Sequence, residues 1–260
     1  MPESEYIEHN RASWTVANAA YTDGAAREEW AREEIVWGQW HIPESELSAL
    51  PDVVGKDVIE LGCGTAYFGA WLKRAGARRV VGVDVTPAQL DTARRMDEEF
   101  GVGLELIEAN AESVPLPDAS FDLVFSEYGA SIWCDPKLWI REAARLLRPG
   151  GVLQFFRGST LRILCVPEDG PAGDRLLMPQ KDLYRLDWEE GGAAGTEFHP
   201  PASVMFAILR ENGFELLDYR ELYAPDDAVT HEFYSEPTAE WAKQWPAEEL
   251  WRARLRPRSS

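Results

Sequence analysis

Residues 57–72 constrain the fold of this chain more than any other stretch. They begin with a short β-branched apolar run, break at a Gly62-Cys63-Gly64 turn, and continue in a helical pattern from Tyr67. A short apolar run is typical of a buried strand, and glycine permits a positive φ with no Cβ in the way of a ligand. The segment therefore predicts a strand, a glycine turn and a helix whose first N–H groups can bind an anionic group.

A second strand strengthens this interpretation, because a Gly-x-Gly pair alone often serves only a tight turn. Residues 79–83 form another β-rich run, and this run ends in Asp84, 20 positions after Gly64. In a parallel sheet that carboxylate lies beside the first loop, where it can accept both hydroxyls of a ribose. Dinucleotides and S-adenosylmethionine both fit this geometry. The dinucleotide fingerprint places Gly or Ala where this chain has Tyr67, so a pyrophosphate is disfavoured.

Five ordered motifs make the chain resemble the class I S-adenosylmethionine-dependent methyltransferases, in their small-molecule branch. The resemblance covers about residues 53–158 and includes the glycine turn, the strand end at Asp84, an adenine-side segment, the fourth strand and the turn before the fifth. These motifs occupy residues 60–65, 82–86, 108–117, 121–126 and 146–151. The family's third glycine is Ala66 in this chain, a small change that we expect to leave cofactor binding possible.

The resemblance implies an α/β fold, with a Rossmann-like, seven-stranded, mostly parallel sheet flanked by helices. It implies S-adenosyl-L-methionine as cofactor, S-adenosyl-L-homocysteine as product, and in-line transfer of a methyl group to an O, N or C atom of a small molecule. By the same resemblance, the expected cofactor contacts are Tyr21, Glu60, Gly62, Cys63, Gly64, Thr65, Asp84, Val85, Gln89, Asn110, Ala111, Glu112 and Ser126.

Two of these residues also have local explanations. Thr86 and Gln89 fit a capping box with Pro87 at the first helical position, so Gln89 either caps the helix or covers the adenosine. Asn110 either addresses the adenine edge or opens an Asx turn. The order of the motifs favours the adenine contact for Asn110.

The acceptor site is expected near the end of the fourth strand, because ligands of open parallel sheets sit outside the carboxyl ends of the strands. Tyr128 and Trp133 follow that strand and are expected to line the pocket. Trp37 and Trp40 precede the core and are expected to form a lid wall. For Trp37 and Trp40, burial in a satellite core is the alternative.

Two residues are candidate general bases. Glu127 ends the fourth strand, although a charged residue there more often caps a turn or faces water. His199 lies where a long insertion re-enters the core, and histidine is suited to proton transfer near neutral pH. A solitary histidine is more often structural, and His41 and His231 compete for the role. A methyltransferase also needs no strong catalytic signature, since the cofactor carries the activated group.

The chain length of 260 residues suits one large α/β domain with a cap. We expect an N-terminal helical cap or lid at 1–50, a cofactor-binding core at 51–158, an insertion over the acceptor site at 159–200, and the end of the core sheet with a C-terminal helix at 201–260. Within the last segment, 214–222 predicts the sixth strand, 229–234 an antiparallel seventh strand, and 238–256 an amphipathic helix broken by Pro246.

The composition of the chain limits the classes of partner that we expect for it. The 26 basic and 45 acidic residues give a formal charge of −19, which disfavours a nucleic-acid substrate. The sequence shows neither a basic leader with an apolar stretch nor a membrane-length apolar run, and its three cysteines lack metal-ligand spacing. We therefore expect a cytoplasmic protein, monomeric or homodimeric, that acts on a small-molecule acceptor without metal, nucleic acid or membrane.

Two other classes of function stay open on the sequence. A nicotinamide- or flavin-dependent Rossmann oxidoreductase shares the glycine turn and Asp84, but Tyr67 and residues 110–112 count against it. A non-catalytic methyltransferase-fold binding protein would bind the nucleoside without turnover, and the intact motifs argue against it. Fold alone does not choose a substrate.

Overall fold

The computed structural model describes residues 5–167, 170–188 and 195–257. Its helical elements are α1 (Glu5–Ala17), a π-helical turn (Asn18–Thr22), α2 (Asp23–Ala31), α3 (Glu44–Leu47), α4 (Tyr67–Arg74), α5 (Pro87–Phe100), α6 (Ala130–Trp133), α7 (Pro136–Leu146), α8 (Thr160–Cys165), α9 (Ala202–Glu211) and α10 (Ala239–Ala242). Its strands are β1 (Val36–Trp37), β2 (Ile42–Pro43), β3 (Asp57–Leu61), β4 (Arg79–Asp84), β5 (Glu105–Glu108), β6 (Phe121–Glu127), β7 (Leu147–Gly158), β8 (Arg185–Trp188), β9 (Gly195–Phe198), β10 (Phe214–Leu222) and β11 (Glu248–Leu255). Among the helices in these ranges, none is both long and apolar enough to cross a membrane.

A seven-stranded sheet in the order β10-β11-β7-β6-β3-β4-β5 organises these elements. The five strands from β3 to β7 pair in parallel, whereas β11 pairs antiparallel with β7 and β10. Alternate residues of β3 enter different apolar clusters, Val58 on one face and Ile59 on the other. A parallel sheet covered on both faces needs such continuous apolar strands. The predicted Rossmann-like, mostly parallel seven-stranded fold is confirmed.

The sheet changes winding direction between β3 and β6. From β3 the chain proceeds outward through β4 and β5 on one side, and through β6 and β7 on the other. The loops that follow β3 and β6 therefore diverge and leave a crevice at the carboxyl ends of these two strands. Ligands of open α/β sheets bind at such a switch point.

The C-terminal segment differs from its prediction. β10 covers the residues predicted as the sixth strand, but residues 229–234 form no strand, and the seventh strand is β11, within the segment predicted as a helix. Pro246 follows the short α10, and beyond it the chain is held by hydrogen bonding to β7 and β10 on both sides. Central placement in the sheet overrides the helical spacing of the tryptophans, as tertiary pairing often overrides local pattern.

The N-terminal helices pack against the cofactor half of the core. In α2, Trp30 is fully buried and its indole N–H donates to the carbonyl of Thr65 at 2.8 Å, directly after the glycine turn. In α1, the Asn10 amide group bonds both to the backbone N–H and to the carbonyl of Thr196 in β9. These helices therefore join the glycine turn to the insertion, in the position predicted for a cap.

The insertion after β7 contributes α8 and a hairpin. β8 and β9 pair antiparallel and form this hairpin. The hairpin contacts α1 and α6, which places it beside the end of β6. Residues 168, 169 and 189–194 of the predicted insertion lie outside the described residues. The four domain boundaries proposed from the sequence stay predictions.

Candidate active site

The two positions Gly62 and Gly64 in the turn after β3 favour glycine for different physical reasons. Gly62 has a φ of +72°, and a Cβ there would lie 2.5 Å from the backbone nitrogen of Ala130 and 2.7 Å from the Cα of Gly129. Gly62 is therefore required by the close approach of the chain that follows β6. Gly64 has a φ of +54°, and the nearest atom to a Cβ there would be Gln89 Oε1 at 3.7 Å. The space beside Gly64 is the more open of the two, and it suits the approach of a ligand to the backbone.

Asp84 lies beside this turn, as the 20-residue spacing predicts. Its Oδ2 accepts a hydrogen bond from the Gly64 N–H at 2.9 Å, and its Oδ1 accepts one from the Thr86 N–H at 2.8 Å. Burial raises the pKa of Asp84, although these two N–H donors oppose the shift. Each carboxylate oxygen offers more than one acceptor position, so Asp84 can hold the turn and still bind ribose hydroxyls.

Residues predicted on the adenine side make mainly local bonds. Asn110 Oδ1 accepts from the Glu112 N–H at 2.9 Å, which is the Asx turn considered from the sequence. Glu112 Oε1 accepts from the Tyr6 hydroxyl and from the Asp135 N–H, so this carboxylate joins α1 to the start of α7. Ala111 lies buried between Asn110 and Glu112. An adenine contact from this segment would therefore come from its backbone or from the free positions of Asn110.

The predicted capping box at the start of α5 does not form. Thr86 occupies the N-cap position but its side chain makes no capping bond. Gln89 is buried, and its Oε1 accepts from Thr22 Oγ1 at 3.2 Å and Asn18 Nδ2 at 3.5 Å. Gln89 therefore connects α5 to the π-helical turn, above the open side of Gly64.

Four other predicted cofactor residues make structural contacts at the glycine turn or in the strands and loops next to it. The Cys63 thiol packs against Gly82, where a Cβ would lie 2.9 Å from the sulfur, and Thr65 presents its carbonyl to Trp30. Ser126 Oγ donates to the Leu61 carbonyl at 2.8 Å and ties β6 to β3. The fourth residue, Val85, accepts a hydrogen bond on its carbonyl from Arg11 Nε at 3.0 Å.

Glu60 is buried in β3 and stands out electrostatically. Only 2% of it is exposed, and burial raises the pKa of this carboxyl well above its usual value. Its Oε2 has no hydrogen-bond partner among the described residues. An unpaired buried oxygen two residues before Gly62 is one observation that fits a ligand with N–H donors in this region.

Tyr21, one of the expected cofactor contacts, joins the N-terminal cap to the loop between β10 and α10. Its ring stacks on Phe233 with centroids 4.6 Å apart, and its hydroxyl lies 2.9 Å from His231 Nε2. Burial raises the pKa of Tyr21. The π-helical turn and residues 226–237 thus meet through an aromatic contact that sequence reasoning did not foresee.

One hydrogen bond spans the crevice between β3 and β6. Tyr67, the first residue of α4, donates its hydroxyl to Glu127 Oε2 at 3.1 Å, and Glu127 is the last residue of β6. Burial raises the pKa of Glu127 to about 7, with a smaller contribution from the negative charge of Glu248. A carboxyl with this pKa can take up a proton near neutral pH.

Glu248 is a functional candidate that sequence reasoning missed. It is the first residue of β11 and is fully buried, and its Oε1 accepts from the Tyr128 hydroxyl and from the Gln39 N–H. Burial raises its pKa to about 7 as well. Because residues 238–256 were expected to form a helix, nothing in the sequence pattern placed Glu248 beside the end of β6.

His199 is held in a way that disfavours its predicted role as a base. The ring is 1% exposed; Nε2 lies 2.7 Å from Glu197 Oε2, and Nδ1 lies 3.2 Å from a terminal nitrogen of Arg157. A guanidinium can only donate, so Nδ1 accepts that bond and Nε2 carries the proton. Burial also lowers the pKa of His199. Its one lone pair is therefore already engaged.

The predicted wall residues occupy different environments. Trp37 is fully buried among Phe68 and Phe156, and its indole N–H donates to Glu44 at 2.7 Å, so the core explains it. Trp40 is 8% exposed and belongs to the same apolar cluster. Tyr128 lies at the crevice with its hydroxyl on Glu248, and Trp133 packs edge-on against Trp14 of α1. Within the described ranges, no group of three His, Cys, Asp or Glu side chains is arranged to hold a metal ion.

Comparison with known proteins agrees with this geometry. Residues 59–155 match the family model described as a methyltransferase domain. Residues 59–155 therefore belong to a methyltransferase domain, and the resemblance of the sequence to the class I S-adenosylmethionine-dependent methyltransferases is confirmed.

Individual relatives differ in how much of the chain they cover. The chain is 36% identical to the malonyl-[acyl-carrier protein] O-methyltransferase of Serratia marcescens over 119 residues, 45% of this chain and 43% of that protein. It is 29% identical to the ubiquinone/menaquinone biosynthesis C-methyltransferase UbiE of Escherichia coli over 183 residues, 65% of this chain and 70% of that one. It thus spans less than half the length of the first relative and a little over two thirds of the second. An S-adenosylmethionine-dependent methyltransferase structure from Mesorhizobium loti superposes with a TM-score of 0.63 at 24% identity, over 80% of this chain and 94% of that chain, and shows the shared fold.

Proposed function

We propose that this protein transfers a methyl group from S-adenosylmethionine to a small-molecule acceptor. The observation that carries the proposal is the bond between Gly64 and Asp84, which joins an open glycine turn to a carboxylate at the neighbouring strand end. That arrangement offers backbone N–H groups and a ribose acceptor side by side. The names of the two relatives specify an O- and a C-methyltransferase, so they leave the methylated atom open.

The residues at the turn fit the cofactor. Gly64 leaves space beside the backbone, Asp84 has acceptor positions left for hydroxyls, and Glu60 has an oxygen that pairs with no described residue. Gln89 and Tyr21 belong to the elements that cover this space. Bound S-adenosylmethionine supplies a methyl group already activated on a sulfonium sulfur.

The chain's own contribution to the reaction is positioning and proton handling. Holding a nucleophile at near-attack distance can lower a barrier by several kcal/mol, with no covalent step on the protein. Of the two bases suggested by the sequence, Glu127 is the better placed, because it lies at the crevice and its carboxyl is hydrogen-bonded to a neutral hydroxyl. His199 has its lone pair occupied by Arg157. We assign the proton-accepting role to Glu127.

Two features favour a small-molecule acceptor, namely the negative net charge of the chain and the segments that cover the crevice. The formal charge of −19 repels a phosphate backbone. The π-helical turn, the residue 38–41 turn and residues 226–237 converge over the crevice through the bonds of Gln39 and Tyr21. A crevice covered on this side suits a compact acceptor better than a polymer.

Calorimetric titration tests the proposal. Purified protein is titrated with S-adenosylmethionine, S-adenosylhomocysteine and NAD under the same conditions. Binding of both sulfur nucleosides without NAD is expected, and NAD binding alone would establish the oxidoreductase alternative. Nucleoside binding followed by no methyl transfer across oxygen, nitrogen and carbon acceptors would favour a binding protein.

A further inference from the structure

Two carboxyl groups, the half-buried one of Glu127 and the fully buried one of Glu248, lie together at the acceptor end of the crevice. Glu127 ends β6, and Glu248 begins β11, whose neighbour in the sheet is β7. The turn at Gly38 and Gln39 lies against Glu248, because the Gln39 N–H donates to its carboxyl at 2.7 Å, and the negative charge of Glu248 acts in turn on Glu127. A Cβ on Gly38 would lie 2.4 Å from Glu248 Oε1, so this turn requires glycine. The two acids thus form one site beneath one turn.

Neither carboxyl is in an ion pair with a described residue. Their hydrogen-bond donors are neutral groups, namely the Tyr67 hydroxyl for Glu127, and the Tyr128 hydroxyl and the Gln39 N–H for Glu248. Glu248 is fully buried, and its Oε2 has no hydrogen-bond partner among the described residues. Buried charge is normally paired, and an unpaired buried acceptor costs free energy that a ligand donor can recover.

Aromatic rings surround the same region. Tyr67 packs against Trp71 and Tyr128 against Phe156, each beside one of the carboxyls. Tyr234 packs against Tyr21 and is close enough to Glu127 for that charge to raise the Tyr234 pKa. Ring faces attract cations, most strongly where water is excluded. Acidic oxygens and ring faces together complement a positively charged group.

We propose that the acceptor presents a basic amine, and that the Glu127 and Glu248 site recognises it. This inference rests on the proposed methyltransferase function and names the substrate class of that site. Before the transfer, the bound ammonium group gives one proton to the Glu127 carboxylate, which frees the nitrogen lone pair. The lone pair then forms the new N–C bond while the C–S electron pair leaves with sulfur, and the methylated product leaves as an ammonium ion. Burial raises the pKa of both carboxyls to about 7, which suits them to exchange such a proton near neutral pH.

Glu29, Glu60 and Arg162 are charged groups that interact with the two carboxyls. Glu29 adds negative charge and interacts with Glu127, whereas Arg162 on α8 interacts with Glu248. Arg162 Nε is itself buried without a partner among the described residues. A carboxylate acceptor bound through Arg162 is the opposing possibility, and it would have to approach two acids. The acids outnumber the arginine, which favours the amine.

Binding of matched small molecules tests the amine directly. Protein saturated with S-adenosylhomocysteine is titrated with three compounds of similar skeleton, 2-phenylethylamine, 2-phenylethanol and phenylacetate, and with hexylamine, hexanol and hexanoate. We expect the amine of each set to bind at least about tenfold more tightly than the alcohol. The Glu127→Gln and Glu248→Gln variants should lose that preference. Glu240→Gln, which removes an exposed carboxyl on α10, should keep it.

The outcomes separate this inference from the methyltransferase proposal. If the protein fails to bind S-adenosylhomocysteine, the proposed function itself is wrong. If it binds the nucleoside but no amine, or if the amine preference survives both glutamate variants, the substrate class is wrong. Tighter binding of the carboxylates that is lost in Arg162→Gln would replace the amine by an anionic acceptor. Thermal denaturation of each variant confirms that it is folded.

Discussion

Asp84→Asn should weaken binding of S-adenosylmethionine while the fold persists. The substitution keeps the shape of the side chain but replaces one acceptor oxygen with an NH₂ group. That group must face the N–H of either Gly64 or Thr86, which the carboxylate accepts at 2.9 and 2.8 Å. The turn therefore loses one of its two bonds to Asp84, and the ribose loses a charged acceptor.

The structure sets the size of this effect. A hydrogen bond to a charged group contributes about 1.5–3 kcal/mol, and the ribose offers two hydroxyls to Asp84. Only part of the loss of these two bonds falls on the ligand, because the turn shares the carboxylate. We expect a loss of about 2–4 kcal/mol in binding, which corresponds to an increase in Kd of about 30-fold to several hundred-fold. S-adenosylhomocysteine should lose a similar amount, because it has the same ribose.

Isothermal calorimetry measures both affinities, with Asp91→Asn as the matched control. Asp91 lies on α5 with 73% of its side chain exposed and pairs with Arg94 on the same helix. The control should bind both nucleosides as the wild type does. If Asp84→Asn is folded by circular dichroism and its Kd stays within about twofold of the wild-type value, the assignment of Asp84 to the ribose is wrong.

Three further predictions test the surrounding structure. Gly62→Ala should lower the free energy of unfolding by about 2–5 kcal/mol in urea denaturation, because the new Cβ would lie 2.5 Å from backbone. Gly64→Ala should lower it clearly less, because the space beside Gly64 is open. Equal losses for the two variants would refute the packing argument. Trp37→Ala should lower it by about 3–5 kcal/mol through a cavity in the core, and a change confined to acceptor KM would instead support a lid role. The folded-state pKa of Glu127 is raised to about 7, so its burial destabilises the fold increasingly as pH rises from the usual carboxyl range to about 7. Glu127→Gln should accordingly raise the melting temperature relative to wild type at pH 8 and leave it nearly unchanged at pH 4.5, and an equal shift at both pH values would contradict this.

The parallel half of the sheet was predictable because its signals are local. Short β-branched runs, the Gly62 and Gly64 turn and the acidic residue at position 84 each specify a strand, a bend or a strand end within a few residues. The structure places Asp84 on the turn at 2.9 Å, as the spacing requires. The same local logic identified the position of β10.

The acceptor side was less predictable because its residues meet through distant pairing. Glu248 reaches the end of β6 only because β11 inserts between β7 and β10, and no local pattern encodes that insertion. Trp37 is an aromatic residue before the core, as expected for a lid, but its burial depends on Phe68 and Phe156 from other elements. The engagement of His199 by Arg157 likewise joins residues 42 positions apart. The sequence identified candidate residues, but only the tertiary packing distinguishes those at the crevice from those buried in the core or engaged in other hydrogen bonds.

A crystal structure of the protein with S-adenosylhomocysteine bound would test the central claim most directly. The ribose hydroxyls should lie within hydrogen-bonding distance of Asp84, the nucleoside should pass beside Gly64, and the sulfur should face the crevice at Tyr67 and Glu127. A nucleoside found elsewhere, or one whose sulfur points away from Glu127, would contradict the account of both the cofactor site and the acceptor site.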